Sequence, residues 1–246
     1  CFSTDSRTMP VLASRKDEAA MARLLEERTV FLRGGPYLQR KGEGVEVTER
    51  APAYLWRTEV TRAEYGSFLA ARKAGRGAVD PRAPEEYNYT PIGWTETSAD
   101  AEEGQGAFPV TGVSFYGAMS FAKFVGSSFA VADHDALRAA VEGPQGNRYP
   151  WGGGAADAAT VNAGGSLGAL CPVGTLGGGA GAQGALDLFG NAAEWVGGKS
   201  TGRSSRFGGD FSTPTDALNV ELSEPVAWEQ RDAKVGFRLM WTAPQE

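Results

Sequence analysis

The sequence predicts an α+β fold that is rich in loops, and three observations support this. Its 246 residues include 34 glycines but only 13 prolines. This glycine content is about twice the average and is typical of a chain with many turns. Helical patterns with clear N-caps occur only before Gly143, and beyond it the chain is glycine-rich with short strand-like stretches. We therefore expect few regular elements and much ordered loop.

The N-terminal region predicts a spacer, a helix and two strands. Residues 1–16 mix Ser, Thr, Arg and Pro without periodicity, so we expect a flexible spacer, with residues 17–246 forming a single domain. Asp17 is a suitable N-cap for a helix. Strand-like stretches follow at 29–33 and 53–60. The apolar face of the helix comprises Ala20, Met21, Leu24 and Leu25.

Three further N-caps predict the remaining helices. Thr61 and Glu64 have the spacing of a capping box, which opens a helix ending near Lys73. Ser114 and Asp133 are good N-caps for two later helices, because each precedes an apolar helical pattern.

Residues 74–107 are rich in Pro, Gly and acidic side chains, a composition also found in domain linkers. The segment contains Tyr87, Tyr89 and Trp94, which a flexible tether would leave without packing partners. We therefore interpret it as a long surface loop of one domain.

Composition excludes several classes of partner. The formal charge is −6 and the isoelectric point is near 5.1, and no cluster of Lys and Arg is visible. Nucleic acids and anionic membrane surfaces attract clustered positive charge, so we expect neither as a partner. No apolar run approaches the about 20 residues needed to span a bilayer.

The two cysteines, Cys1 and Cys171, do not predict a disulfide framework. Bacterial lipoproteins begin at a lipidated cysteine, so Cys1 is either a lipidation site or an arbitrary start of the sequence. If Cys1 is lipidated, we expect the protein to contact the membrane only through that lipid anchor. We expect Cys171 to be a small buried residue rather than a reactive thiol.

A set of short motifs runs in order along the chain. The strongest are ALDLFGNAAEWVGG at 185–198, FGGD at 207–210 and GFRLMW at 236–241. Weaker ones precede them: FLRG at 31–34, EVT at 59–61, PV at 109–110 with VSF at 113–115, YPWG at 149–152 and PVG at 172–174. Together they resemble the formylglycine-generating enzyme family, also called the sulfatase-modifying-factor domain. The resemblance implies a C-type-lectin-like fold in its formylglycine-generating variant.

The chain departs from this family at the catalytic centre. In the enzymes two cysteines that follow the segment matching FGGDF bind Cu(I), and the matching positions here are Thr213 and Leu218. The related sulfoxide synthases need several histidines for iron, and His134 is the only histidine. We therefore expect no copper, no iron and no catalytic residues. The resemblance thus implies a family member that has retained the fold and lost the catalytic activity.

The resemblance also implies a structural calcium site. It places side-chain ligands at Asp187 and Glu194 and carbonyl ligands at Gly190 and Ala192, and Ca²⁺ prefers such oxygens. The alternative is that Glu194 holds a buried hydrogen-bond network. A second family site would use Asn162, but its later ligands fall in a shortened segment.

Two tryptophans are candidates for partner contacts. Trp94 and Trp228 lie in polar segments outside the family motifs, so we expect them to be exposed, although burial under a loop is equally compatible with the sequence. An exposed Trp in an ordered loop is a common binding anchor.

The resulting functional prediction is a non-catalytic binding or scaffolding protein. We expect an extracytoplasmic lipoprotein subunit of a bacterial envelope assembly, with other envelope proteins as partners. Two alternatives remain: a metal-dependent oxidase of the formylglycine-generating or sulfoxide synthase type with unfamiliar ligands, and a lectin-like protein that binds a glycan or small molecule.

Overall fold

The computed structural model describes residues 18–42, 44–94, 104–154, 156–198 and 201–242. Cys1 and the expected spacer lie outside these residues. Among these described residues, four α-helices form: α1 (Glu18–Arg28), α2 (Arg62–Lys73), α3 (Phe115–Val125) and α4 (His134–Glu142). The strands are β1 (Thr29–Leu32), β2 (Gly35–Lys41), β3 (Gly44–Arg50), β4 (Ala53–Trp56), β5 (Phe129–Val131), β6 (Ala193–Trp195), β7 (Arg203–Ser204), β8 (Arg206–Phe207), β9 (Val226–Ala227), β10 (Val235–Gly236) and β11 (Leu239–Trp241).

The strands in the described part of the chain form four small sheets. The largest has the order β1-β4-β11-β5 with antiparallel neighbours, so the last strand of the chain lies between two early ones. A second sheet has the order β10-β6-β8, with β10 parallel to β6. The pairs β2-β3 and β7-β9 complete the set. Short strands joined by long ordered loops confirm the loop-rich α+β prediction.

Two apolar clusters pack on this framework. Neighbouring residues of β4, Leu55 and Trp56, belong to different clusters, and so do Leu239 and Met240 of β11. Successive side chains of a strand point to opposite faces, so the main sheet separates the two clusters. Helices α2 and α3 supply the first cluster and α4 supplies the second.

All three N-caps tested by the described residues are confirmed. Thr61 and Glu64 form both hydrogen bonds of a capping box at the start of α2. The Ser114 hydroxyl accepts from the Gly117 N–H at the start of α3, and the Asp133 carboxylate accepts from the Ala136 N–H at the start of α4. Each interaction satisfies a backbone donor that has no partner within the helix.

The described parts of the loop at 74–107 pack against the domain, as the aromatic residues predicted. Its described parts, 74–94 and 104–107, contain no helix or strand. The hydroxyl of Tyr65 donates to the carbonyl of Tyr89 at 2.9 Å, and the Tyr89 ring lies 5.5 Å from that of Phe68. These contacts hold the loop on α2.

The hairpin formed by β2 and β3 was not predicted. The sequence predicted strand-like stretches only at 29–33 and 53–60 in this region, but β2 begins at Gly35 and β3 at Gly44. Val45 and Val47 of β3 are more than half exposed, so the strand lacks the buried face that produces a clear alternating pattern. No helix among the described residues is long and apolar enough to cross a bilayer.

Candidate functional site

A fully buried ion pair joins two of the three strongest motifs of the sequence, 185–198 and 236–241. Arg238 follows β10, and Glu194 lies in β6 beside that strand. The Arg238 Nε lies 3.0 and 2.8 Å from the two Glu194 carboxylate oxygens, and Nη2 lies 2.5 Å from Oε1. Neither side chain is more than 2% exposed. Arg238 therefore holds Glu194 in a forked arrangement that a lysine could not reproduce.

The remaining donors of Arg238 bind backbone carbonyls from two other segments. Nη1 donates to Trp56 and Arg57 at 3.3 and 3.2 Å, and Nη2 donates to Leu186 and Asp187 at 3.0 and 2.9 Å. One guanidinium thus connects β4, the loop before β6 and β6 itself. This is the buried hydrogen-bond network that the sequence left open as the alternative role of Glu194.

Two further acids share this interior. Glu59 is fully buried, and one of its oxygens accepts from the Asn191 side chain at 3.1 Å. Asp187 accepts from the Gly174 N–H at 2.6 Å, and the second carboxylate oxygen of Glu59 is buried without a hydrogen-bond partner among the described residues. Burial raises the pKa of Glu59 well above its ordinary value, and nearby Asp187 adds to the rise while Arg238 opposes it. The cluster contains three carboxyl groups and one guanidinium group. A proton on Glu59 therefore reduces its net negative charge.

The predicted calcium ligands Asp187, Gly190 and Ala192 lie in the loop before β6, and Glu194 lies in β6 itself. Asp187, Gly190 and Asn191 all have positive φ angles, which turn the backbone sharply. A side chain at Gly190 would meet the Asn162 carbonyl at 2.4 Å, so only glycine fits there. Asn162 is buried beside this loop, where its Nδ2 contacts the Asn191 side chain at 3.2 Å and its Oδ1 has no partner.

Calcium fits this loop only in part. Both oxygens of Glu194 already accept hydrogen bonds from Arg238, so a cation there would share that carboxylate. Among the described residues, no group of three or more His, Cys, Asp and Glu side chains is arranged to hold a metal ion. A calcium site would therefore depend on the carbonyls of Gly190 and Ala192. Calcium at Asp187, Gly190, Ala192 and Glu194, or at Asn162, stays a prediction.

The positions matching the copper cysteines converge at Gly209. A Cβ built on Gly209 would lie 3.0 Å from Leu218 Cδ2, from Thr213 Cγ2 and from Thr213 Oγ1. Both side chains therefore approach the same glycine. Leu218 is only 3% exposed and belongs to the second apolar cluster, while Thr213 Oγ1 accepts from the Asp210 N–H at 3.0 Å.

Two cavities adjoin this place. The first, of about 230 Å³, is lined by Gly209, Leu218 and the ion-paired Arg206 and Asp232. The second, of about 340 Å³, is lined by three arginines and by the segment that carries Leu218. Both cavities share Leu218, Asn219 and Glu221. The surface beside Thr213 and Leu218 is thus a concave region that could admit a small ligand.

A comparison with family models identifies the relationship. The model for the sulfatase-modifying factor enzyme 1-like domain matches residues 15–243. The chain belongs to this family. No curated protein matches it.

Solved structures share the fold of this sulfatase-modifying-factor member. The crystal structure of CarF is 17% identical, with a TM-score of 0.62, and the match covers 88% of this chain and 98% of CarF. Variable protein 1 of Treponema denticola is 16% identical, with a TM-score of 0.62 and coverages of 87% and 94%. PvdO of Pseudomonas aeruginosa is 19% identical, with a TM-score of 0.60 and coverages of 87% and 93%. At these identities the matches establish the fold alone.

One predicted contact residue of this sulfatase-modifying-factor domain is corrected. Trp228 is only 4% exposed, because its ring packs 5.4 Å from Phe115 and 5.6 Å from Tyr116 and the Arg82 guanidinium covers it at 5.5 Å. It is a core residue, not an exposed anchor. Trp94 is half-buried against the first apolar cluster, and its role in binding stays a prediction.

Cys171 of the same domain is buried and free, as expected. Its Sγ lies 3.5 Å from the Asn191 Oδ1. Burial raises the pKa of its thiol, and the nearby Asp187 and Glu59 raise it further. A thiol with a raised pKa is a poor nucleophile at neutral pH, which fits an interior packing residue.

Sequence reasoning missed two members of the buried network. The sequence placed Glu59 and Arg238 in the EVT and GFR motifs but indicated no role for either residue. A charged residue inside an otherwise apolar motif was the available signal, because such residues are seldom fully buried without a partner.

Proposed function

We propose that this sulfatase-modifying-factor family member is a non-catalytic binding or scaffolding protein. The observation that carries the proposal is the convergence of Thr213 and Leu218 at Gly209, where the resemblance puts the copper cysteines. Cu(I) prefers soft thiolate ligands, and a hydroxyl beside a methyl group offers none.

The fold supports a binding role. Loops that are fixed by buried contacts can present a stable surface, and functional residues are often found on such loops. Here Arg238 connects the interior loops through its hydrogen bonds, and the two cavities open beside Thr213 and Leu218. Fold alone does not assign a function, so the proposal depends on these residues rather than on the family.

A copper titration tests the loss of chemistry. The wild type and the double variant Thr213→Cys, Leu218→Cys would compete with a chromogenic chelator for Cu(I) under anaerobic conditions. Because both side chains approach Gly209, we expect tight one-to-one binding in the double variant and none in the wild type. Each single cysteine variant is the matched control and should bind far more weakly. Tight binding of one Cu(I) by the wild type would overturn the proposal.

Partner capture tests the binding role. We propose an extracytoplasmic lipoprotein subunit of a cell-envelope assembly, with other envelope proteins as partners. Affinity purification of the natively expressed protein from solubilised membranes should retain a stoichiometric set of envelope proteins. Recovery of the protein alone in the soluble fraction would count against the assembly. Intact-mass spectrometry of the purified protein would reveal a lipid on Cys1 as added acyl mass.

A further inference from the structure

Three arginines from separate parts of the chain line the larger cavity. Arg40 lies in β2, Arg138 in α4 and Arg148 in the loop after α4. We call this space, of about 340 Å³, the arginine cavity. Its volume is in the lower part of the range for small-molecule sites, about 300–1,000 Å³. A concentration of guanidinium groups stands out in a chain whose formal charge is −6.

Arg138 forms the buried base of this cavity. Its side chain is only 9% exposed, and it is fixed by a 3.0 Å ion pair with Glu142 and a hydrogen bond to the Arg40 carbonyl. Its Nε is buried and has no hydrogen-bond partner. Glu142 also accepts from the Arg40 N–H at 3.1 Å, so the same carboxylate positions both arginines. The arrangement is held by α4 and β2 rather than by a mobile loop.

The other two arginines have no carboxylate partner. Within the part of the chain that the structure describes, Arg40 and Arg148 take part in no ion pair. The Arg40 guanidinium donates only to the Gly146 carbonyl at 3.4 Å. The Arg148 guanidinium lies over the Tyr149 ring at 5.3 Å and is otherwise exposed. Two arginines without an ion-pair partner thus line the same cavity as the ion-paired Arg138.

The segment 216–221 forms the rest of the lining. It contributes Asp216 and Glu221, which likewise form no ion pair among the described residues. His134 of α4 contacts the Val220 carbonyl at 2.8 Å and so holds the segment on the helix. Among the described residues, neither of these acids forms an ion pair with a cavity arginine. The guanidinium groups of Arg40 and Arg148 are therefore available to a ligand, whereas Arg138 is already paired with Glu142.

We propose that the arginine cavity binds a small ligand through a tetrahedral oxyanion, a phosphate or sulfate group. Guanidinium groups bind such oxyanions through paired N–H donors, and several guanidiniums around one site are the usual arrangement for doing so. Asp216 and Glu221 repel additional negative charge and so favour a ligand with a single oxyanion group. This site goes beyond the proposed function, since phosphate binding and copper binding are measured separately and either can fail alone.

Calorimetric titration with inorganic phosphate and inorganic sulfate tests the site at fixed ionic strength. Arg148→Gln should weaken binding about tenfold, because it removes one charge-assisted contact. Arg33→Gln is the matched control, since Arg33 is an exposed arginine of the loop between β1 and β2, does not line the cavity and should bind as the wild type does. Asp216→Asn should tighten binding about two- to threefold, because it removes a repelling charge. All three side chains are exposed, so these variants should keep the wild-type melting temperature.

Two results would overturn the site. One is no measurable heat with either anion at millimolar concentration in the wild type. The other is equal weakening by Arg148→Gln and Arg33→Gln, which would indicate a general charge effect. A titration with O-phosphoethanolamine distinguishes a free anion from a monoester. Tighter binding than that of inorganic phosphate supports a monoester whose ammonium group faces Asp216 and Glu221, and equal binding supports the free oxyanion.

Discussion

Replacing Glu194 by Gln should strongly destabilise the protein. The substitution leaves the fully buried Arg238 guanidinium without the carboxylate that accepts three of its hydrogen-bond contacts. Breaking a buried ion pair by removing one partner costs about 3–5 kcal/mol, because the remaining charge stays buried. For a domain of this size each kcal/mol lowers Tm by about 2–4 °C. We therefore expect a fall in Tm of roughly 6–20 °C.

Urea unfolding followed by tryptophan fluorescence, together with thermal melts, measures this loss. Both measurements are made in excess chelator, so that bound calcium does not contribute to stability. Glu27→Gln is the matched control, because the Arg23–Glu27 contact has a similar distance, 2.8 Å, but its side chains are 64% and 55% exposed. Exposed ion pairs contribute little to stability, so the control should melt as the wild type does.

A double variant separates the charge effect from packing. Glu194→Gln with Arg238→Met removes both charges, so it should lose less stability than the sum of the two single variants. The reasoning is refuted if Glu194→Gln loses less than about 1 kcal/mol in chelator. It is equally refuted if the two single losses simply add in the double variant.

Three other predictions concern the buried acids and the first apolar cluster. Because the pKa of Glu59 is raised, the folded state holds this proton more tightly than the unfolded state, so its stabilising contribution is present at low pH and is lost as pH rises through the raised pKa. In chelator, the free energy of unfolding of the wild type should fall with pH by at most about 1.4 kcal/mol per unit from this group, and Glu59→Gln should remove that dependence; equal pH profiles would contradict the assignment. If calcium binds at Asp187 and Glu194, added Ca²⁺ should raise Tm in the wild type but not in Glu194→Gln, and an unchanged wild-type Tm after chelation would remove the site. Trp228→Ala should cost about 3–5 kcal/mol and Trp94→Ala clearly less, since only Trp228 is a core residue, and similar losses in urea unfolding would contradict this difference.

The sequence predicted the elements whose signals are local. Thr61, Ser114 and Asp133 each cap a helix through a side chain a few residues from its donor, so their pattern is readable without tertiary information. The β2-β3 hairpin lacked such a signal, because its valines are exposed and its glycines resemble a terminator.

The site was predicted only where the family motifs supplied it. Arg238 and Glu194 are 44 residues apart, and the Arg138–Arg40 contact spans 98 residues, so neither partnership is visible as a spacing. The prediction that Trp228 is exposed was wrong for a related reason. Its segment is polar, but tertiary packing against α3 buries the ring, and local composition does not record that contact.

Oxygen consumption with a cysteine-containing peptide tests the central claim most directly. The wild type would be supplied with copper, a reductant and the peptide, with a copper-loaded formylglycine-generating enzyme as the positive control. The loss of both thiolates at Thr213 and Leu218 predicts a rate equal to that of the protein-free mixture, with no aldehyde in the peptide by mass spectrometry. Enzyme-dependent oxygen uptake with conversion of the peptide cysteine to an aldehyde would contradict a non-catalytic role.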